Sequence, residues 1–216
     1  MTSQPDVPVF TDAPPASDTS CVYIVDDDEA IRDALVWLLQ SRDVPARAFA
    51  SAEEFLTLWS PDTAGCLLLD IRMDGMSGLA LFDRLRDAGN RMPVIFLTGH
   101  GDVPIAVASL KKGAHDFVEK PFNDNELVDR IIEALRLDAS SRSQNSARQD
   151  AAARLASLSP RERQVMDKII EGKLNKIIAD ELAISMRTVE MHRAHVFEKM
   201  GVKNSVELAR MLALLG

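Results

Sequence analysis

Side chains that could do chemistry lie at or just after the ends of several short apolar runs of this sequence. They are carboxylates, a hydroxyl and an ammonium: Asp26, Asp27, Asp28, Asp70, Thr98 and Lys120. The carboxyl ends of parallel strands meet at one edge of an open sheet, so we expect these groups to lie together. Clustered carboxylates are costly unless a cation joins them, and an all-oxygen set suits magnesium. The sequence therefore predicts a divalent-cation site at which one carboxylate attacks a phosphoryl group and Lys120 neutralises charge.

A purely structural explanation exists for each of these residues taken singly. The aspartates that follow the first run could form the acidic start of a helix, favoured by its dipole, and Lys120 could be a solvated loop residue. The convergence of several such groups on strand ends favours a shared site instead.

The elements that must position these groups alternate through residue 138. Apolar runs at 21–25, 46–49, 66–70, 94–98 and 115–118 predict strands, and the segments between them have the three-to-four spacing of helices. This alternation is typical of a parallel sheet covered by helices. The fifth helix is predicted to begin at Asn123, where Glu126 completes a capping-box pattern.

The length of 216 residues, with 46% hydrophobic content, allows two small domains. Residues 1–20 hold four prolines, no basic residue and no signal-peptide core, and are predicted to be a disordered leader of a cytoplasmic protein. Residues 139–154 are predicted to be a linker, because 139–150 contain almost nothing apolar beyond alanine. Ser159, Pro160 and Glu162 mark the start of a helical domain at 155–216.

The net charge of -8 argues against a nucleic-acid partner until its distribution is considered. Residues 157–216 contain ten Lys/Arg against eight Asp/Glu, so the acidity belongs to the first part. The two cysteines, Cys21 and Cys66, adjoin apolar runs and are predicted to be free core thiols. No apolar stretch is long enough to predict a membrane span, and no membrane partner is expected.

Four helices are predicted in the second domain, at 160–171, 175–182, 186–200 and 206–215, and the middle two form a helix-turn-helix. On the second of these, helical spacing puts Val189, His192, Arg193, Val196 and Met200 toward the core. Arg187, Met191, Ala194 and Glu198 fall opposite, flanked by Glu190 and His195. Candidate base contacts are Glu190, Met191 and Ala194, and candidate phosphate contacts are Lys173, Asn175, Lys176, Arg187, Thr188, Arg193 and Lys203. A solvated face on a purely structural helix-turn-helix remains the alternative.

Several motifs in the first domain resemble receiver domains of the FixJ branch of response regulators. They are Val25-Asp26-Asp27, Leu69-Asp70-Ile71-Arg72-Met73, Met76-Ser77-Gly78, Thr98-Gly99-His100-Gly101-Asp102 and Glu119-Lys120-Pro121-Phe122. The resemblance implies a flavodoxin-like, five-stranded receiver at 21–138 whose Asp70 accepts phosphate from a sensor histidine kinase. It also implies that Asp26, Asp27, Asp70 and the Arg72 carbonyl hold Mg2+, that Thr98 and Lys120 bind the phosphoryl group, that Phe117 moves inward, and that Lys120-Pro121 is cis.

Two points of this resemblance stay open. Phe117 could equally be only a buried core aromatic. Asp74 stands where the family commonly has proline, a departure that could loosen the loop or alter dephosphorylation.

The second domain resembles the LuxR-type four-helix DNA-binding domain. The motifs are Ser159-Pro160-Arg161-Glu162-Arg163-Gln164-Val165, Asn175-Lys176 with Ile178-Ala179, and Arg187-Thr188-Val189-Glu190-Met191-His192-Arg193. Together the two resemblances imply a transcription regulator rather than an enzyme, commonly an activator, with promoter DNA and RNA polymerase as partners. Phosphorylation would pair two receivers through residues 106–111 and 126–137 into a homodimer. Two rival functions are a phosphate-sink relay protein and a phosphorylation-independent DNA binder.

Overall fold

The computed structural model of the chain describes residues 20–99 and 103–216. The predicted leader therefore lies outside the described residues, apart from Ser20, as do His100, Gly101 and Asp102 of the fourth receiver motif. The chain divides into two compact units, one ending at Ser140 and the other spanning Ser141–Gly216.

Within the described residues, the first unit is built on a parallel sheet of five strands in the order β2-β1-β3-β4-β5. The prediction of a doubly wound α/β fold is confirmed. The third strand begins one residue earlier than predicted, and the fifth is shifted one residue onward. In chain order the elements are β1 (Cys21–Val25), α1 (Glu29–Gln40), β2 (Ala46–Phe49), α2 (Ala52–Leu58), β3 (Gly65–Asp70), α3 (Gly78–Asp87), β4 (Val94–Thr98), α4 (Val103–Lys111), β5 (Asp116–Glu119) and α5 (Asp124–Ala156).

Both faces of this sheet are buried, which explains why its inner strands are continuous apolar runs rather than alternating ones. Leu67 and Leu69 of β3 pack into one core cluster, and Cys66 and Leu68 pack into the other. Cys21 belongs to the first cluster, so the two cysteines lie on opposite faces of the sheet and both are free, as predicted. Burial raises the pKa of both thiols, that of Cys21 to about 11, which keeps them in the neutral, unreactive form.

Helix α5 is a single helix of 33 residues from Asp124 to Ala156. The side chain of Asn123 accepts hydrogen bonds from the N–H groups of Asn125 and Glu126, so the helix begins where the sequence predicts. The segment predicted to be a linker, 139–154, is thus helical. It contains no proline or glycine and is rich in alanine and arginine, which are strong helix formers, so its lack of apolar residues does not prevent a helix.

The second unit contains the predicted helices around one apolar core. A capping box begins the first of them: the Ser159 side chain accepts from the Glu162 N–H, and the Glu162 carboxylate accepts from the Ser159 N–H at 2.8 Å. Ala183 adopts a left-handed conformation and ends the second helix, which makes the turn of the helix-turn-helix. The helices are α6 (Pro160–Ile170), α7 (Asn175–Leu182), α8 (Met186–Met200) and α9 (Ser205–Ala213).

An ion pair ties α6 to α8 in this unit. Lys199 Nζ lies 2.7 Å from the buried carboxylate of Glu162. Hydrogen bonds from Lys199 and from the Ser159 backbone lower the pKa of Glu162 to about 2, so this carboxylate stays charged at neutral pH. None of the described helices, in either unit, is both long and apolar enough to cross a membrane.

Candidate functional site

Two of the carboxylates predicted to share a site, Asp26 and Asp70, are joined by one lysine. Lys120 Nζ lies 2.7 Å from Asp26 Oδ2 and 2.7 Å from Asp70 Oδ1. Asp26 follows β1 directly and Asp70 is the last residue of β3, its neighbour in the sheet. Both aspartates are buried, at 1% and 7% exposure. The structure thus brings together at one sheet edge three groups that lie far apart in the sequence.

The charges of this cluster do not balance, because one ammonium serves two carboxylates. Burial raises the pKa of Asp70 above its usual range, and the hydrogen bond from Lys120 opposes this shift without cancelling it. For Lys120, burial lowers the pKa, but its hydrogen bonds to Asp26 and Asp70 outweigh burial, so the pKa lies above its usual range. Burial therefore sets the direction of the pKa shift of Asp70, and hydrogen bonding sets that of Lys120.

The loop that follows β3 holds two carboxylates through its backbone. The N–H of Arg72 donates to Asp70 Oδ2 at 2.8 Å, and the N–H of Asp74 donates to Asp27 Oδ2 at 2.9 Å. Asp27, unlike Asp26, is exposed. Asp70 is therefore fixed by Lys120 on one oxygen and by a backbone amide on the other, which orients it within the site.

Gly78 explains why the Met76-Ser77-Gly78 motif accompanies this loop. A Cβ at this position would lie 2.0 Å from the backbone oxygen of Asp70, a distance that no side chain can occupy. Gly78 also donates its N–H to the carbonyl of Ile71 at 3.1 Å, and Ser77 caps α3 by accepting from the N–H of Ala80. The loop can thus return close beneath Asp70 only with glycine at this position.

Thr98 and Phe117 lie on the two strands beyond Asp70. Thr98 is fully buried, and its hydroxyl donates to the carbonyl of Val118 at 3.4 Å. Phe117 is partly buried and packs against the first core cluster. The N–H of Lys120 donates to the Thr98 carbonyl at 2.7 Å, and the Lys120-Pro121 peptide bond is cis, as the resemblance implies.

The chemistry of the acidic cluster fits a hard divalent cation. Asp26, Asp27 and Asp70 offer only oxygen donors, the type of ligand that such ions prefer. Over residues 20–99 and 103–216, however, no three His, Cys, Asp or Glu side chains are already arranged as a metal cage. Lys120 contacts both buried carboxylates, so an incoming cation must share or displace its contacts.

The exposed face of α8 agrees with the helical spacing of the sequence. Val189, Val196 and Met200 are fully buried. The opposite side, including the flanking positions, is exposed along its whole length: Arg187, Glu190, Met191, Ala194, His195 and Glu198. An open groove at the start of the helix is lined by Ser185, Arg187, Thr188, Glu190 and Met191. These residues form an exposed surface of mixed polarity at the helix N-terminus, where recognition helices meet base edges.

The other residues predicted to contact phosphate differ in their exposure and in their partners. Lys176 and Lys203 are exposed, whereas Asn175 is half-buried and the half-buried Arg193 stacks over the Phe197 ring at 5.5 Å. Lys173 forms ion pairs with two carboxylates. Its Nζ lies 2.9 Å from Glu171 and also contacts Glu181.

The pairing of Lys173 with glutamates is not part of the sequence prediction. Lys168 joins the same cluster through Glu171 and Glu181. Its spacing of three from Glu171 on one helix is a sequence signal for a pair. Glu181 lies on the next helix, so only the tertiary fold brings it to the two lysines.

Comparison with known proteins gives matches to both units. The family described as "Response regulator receiver domain" matches residues 22–132, and the one described as "Bacterial regulatory proteins, luxR family" matches residues 156–212. The C4-dicarboxylate transport transcriptional regulatory protein DctR of Rhodobacter capsulatus is 52% identical over 192 residues, covering 88% of this chain and 98% of that protein. The transcriptional regulatory protein FixJ of Bradyrhizobium diazoefficiens is 44% identical over 195 residues, covering 90% and 95% of the two chains.

Solved structures of full-length proteins resemble this chain as well. The response regulator StyR superposes with a TM-score of 0.82 at 38% identity, covering 91% of this chain and 98% of that one. Full-length FixJ from B. japonicum gives a TM-score of 0.57 at 43% identity, covering 91% and 97%.

Proposed function

This chain belongs to the FixJ branch of response regulators, and on that premise we propose that phosphorylation of Asp70 controls promoter binding by α8. The protein is a phosphorylation-dependent transcription regulator of a two-component system. The observation that supports Asp70 as the acceptor is its position at the end of β3, with Lys120 Nζ 2.7 Å from one carboxylate oxygen and the Arg72 N–H on the other. The donor in this proposal is a sensor histidine kinase.

The residues of the cluster have separate roles in phosphoryl transfer. A carboxylate oxygen of Asp70 attacks the phosphorus and displaces the histidine nitrogen of the kinase as the leaving group, while the Lys120 ammonium neutralises charge on the equatorial oxygens. Asp26, Asp27, Asp70 and the Arg72 carbonyl would hold Mg2+, which supplies further neutralisation of the phosphoryl group when bound. Asp26 and Lys120 already contact each other, so Asp70 can acquire the phosphoryl group while Lys120 remains anchored.

Phosphorylation changes what Thr98 and Phe117 contact. The Thr98 hydroxyl now donates to a β5 carbonyl, and it would exchange this acceptor for a phosphoryl oxygen. Phe117 would then move inward, and the face formed by α4 and α5 would change. Helices α4 and α5 expose Ile105, Val107 and Leu137, apolar side chains that a second receiver could cover.

Pairing of two receivers would bring two α8 helices to adjacent half-sites on DNA. In this proposal the protein acts as a homodimer, and its partners are promoter DNA and RNA polymerase. It activates transcription, and it does so in the cytoplasm. The chain is then a regulator and not an enzyme. We assign 21–138 to the receiver, 139–154 to a helical connection and 155–216 to the DNA-binding domain.

A direct test measures the mass, oligomeric state and DNA affinity of the full chain with magnesium, before and after acetyl phosphate. The DNA is a duplex selected from random sequence by the treated protein. We expect one added phosphoryl group, a shift from monomer to dimer, and binding tightened by about tenfold or more, since pairing raises effective concentration. Uptake of phosphate by a protein that selects no duplex from the random sequences would favour the relay function. Equal binding before and after treatment would favour a phosphorylation-independent regulator.

Arg187→Ala is expected to weaken binding by a similar factor on every DNA sequence and to reduce the slope of log affinity against log salt by about 1, because Arg187 is predicted to contact phosphate. Arg187 is exposed at the first turn of α8 and lines the groove there. The measurement is the dissociation constant of the phosphorylated protein at several salt concentrations. Arg163→Ala is the matched control, because Arg163 is equally exposed but lies on α6. Equal losses from both substitutions would argue for a general charge effect and against α8 as the DNA-reading helix.

A further inference from the structure

Two backbone N–H groups of the loop after β3, two residues apart, donate hydrogen bonds to carboxylates from different parts of the chain. The N–H of Arg72 donates to Asp70 Oδ2 at 2.8 Å, and two residues later the N–H of Asp74 donates to Asp27 Oδ2 at 2.9 Å. Asp70 belongs to β3, whereas Asp27 belongs to the turn between β1 and α1. The second hydrogen bond therefore connects the loop after β3 to the turn after β1.

We propose that the backbone N–H of Asp74 is a positioning group, which acts through Asp27 to fix the carboxylate used for magnesium binding. The proposal rests on the metal role of Asp27 proposed above. Asp27 is exposed, so its side chain would otherwise sample several rotamers, and ordering it on metal binding would cost entropy. A hydrogen bond made before the ion arrives removes part of that cost. Loss of such an outer hydrogen bond typically weakens metal binding about 10- to 100-fold.

The identity of residue 74 is what makes this hydrogen bond possible. The family commonly has proline here, and proline has no N–H to donate. Any other residue restores the donor, so the effect belongs to the backbone and not to the aspartate side chain. Gly75, the next residue, has a φ of +76°, a turn conformation that glycine adopts readily.

The side chain of Asp74 could act separately, through charge. Asp74 is exposed, and an ideal Cβ on Gly75 would lie 3.5 Å from Glu53 Oε1, so another carboxylate lies beside this loop. Added negative charge attracts a divalent cation at long range, but salt screens such exposed charges. The contributions of the side chain and of the backbone amide must therefore be measured with different substitutions.

The test compares Asp74→Pro with Asp74→Ala in the full chain. Both remove the carboxylate, but only the first removes the N–H. Magnesium affinity is measured without any phosphodonor, by isothermal titration calorimetry and from the rise in the unfolding midpoint with magnesium concentration. We expect Asp74→Ala to bind within about threefold of wild type and Asp74→Pro to bind about tenfold more weakly than Asp74→Ala. Equal affinities in the two variants, or tighter binding by Asp74→Pro, would overturn the proposal.

Asp27→Ala separates this proposal from the one on which it rests. If Asp27→Ala binds magnesium as tightly as wild type, Asp27 is not a ligand and both proposals fall. If Asp27→Ala loses affinity while Asp74→Pro and Asp74→Ala stay equal, only the role of Asp74 falls. Adding Asp74→Pro to Asp27→Ala should cause no further loss, because the acceptor is already absent. Should the proline disturb folding, an ester in place of the residue-74 amide removes the N–H without the ring, and the same tenfold loss is expected.

Discussion

Asp70→Asn is expected to abolish phosphoryl uptake by the full chain. The substitution preserves the size of the side chain but replaces the carboxylate oxygen that would attack phosphorus with an amide, which is not a nucleophile at neutral pH. The stimulation of dimerisation and of DNA binding by acetyl phosphate should disappear with it. Intact-protein mass and DNA affinity, measured with magnesium before and after the phosphodonor, check both expectations.

Asp28→Asn is the matched control for this experiment. Asp28 belongs to the same acidic run, but it is exposed and caps α1 by accepting from the N–H groups of Ala30 and Ile31. Asparagine caps a helix about as well as aspartate, so this variant should fold and take up phosphate like wild type. Stoichiometric phosphorylation of Asp70→Asn would mean that another residue accepts the phosphoryl group, and the proposed role of Asp70 would be wrong.

Lys120→Met is expected to destabilise the first unit by about 3 kcal/mol at pH 7. Methionine keeps much of the length of lysine but leaves Asp26 and Asp70 buried, close together and without their shared cation. Both tryptophans of the chain, Trp37 and Trp59, lie in this unit. Urea unfolding followed by tryptophan fluorescence therefore reports on it selectively.

The loss caused by Lys120→Met should depend on pH. In wild type the raised pKa of Lys120 means that its stabilising contribution is fully present below the usual pKa of lysine and is lost only as the pH rises through the higher folded value. In the variant, Asp70 loses the hydrogen bond that opposes its raised pKa, so it should protonate at a higher pH than in wild type and relieve the repulsion as the pH falls. Lys111→Met, which changes an exposed lysine of α4, should cost less than about 0.5 kcal/mol. Equal costs for the two variants at every pH would contradict the bridging role of Lys120.

The sequence predicts the position of the acidic site better than its internal contacts. Asp26, Asp70 and Thr98 could be placed at one edge because they end apolar runs, and parallel strands leave no other arrangement. That Lys120 bridges two of the carboxylates depends on the path of the chain after β5, which no periodicity encodes. The contact between the Asp74 N–H and Asp27 likewise depends on the backbone of one loop.

In the helical parts of the chain, too, some features are predicted from the sequence and others are not. The buried side of α8 follows from spacing alone, because Val189, Val196 and Met200 recur at helical intervals. The helix through 139–154 is not predicted, since a polar segment without an apolar face gives the same pattern whether it is helical or not. Intrinsic propensity decides between the two, and here it favours the helix.

The pairing of Lys173 bears on how DNA binding responds to salt. Each phosphate that a protein neutralises normally releases condensed cations from DNA, which contributes about 0.9 to the slope of log affinity against log salt. Lys173 already has counterions within the protein, the carboxylates of Glu171 and Glu181. When Lys173 binds a phosphate, it would exchange a glutamate for the phosphate as its anionic partner. The released glutamate would then recover a cation from solution. The salt slope should therefore be smaller than the number of lysines at the interface suggests.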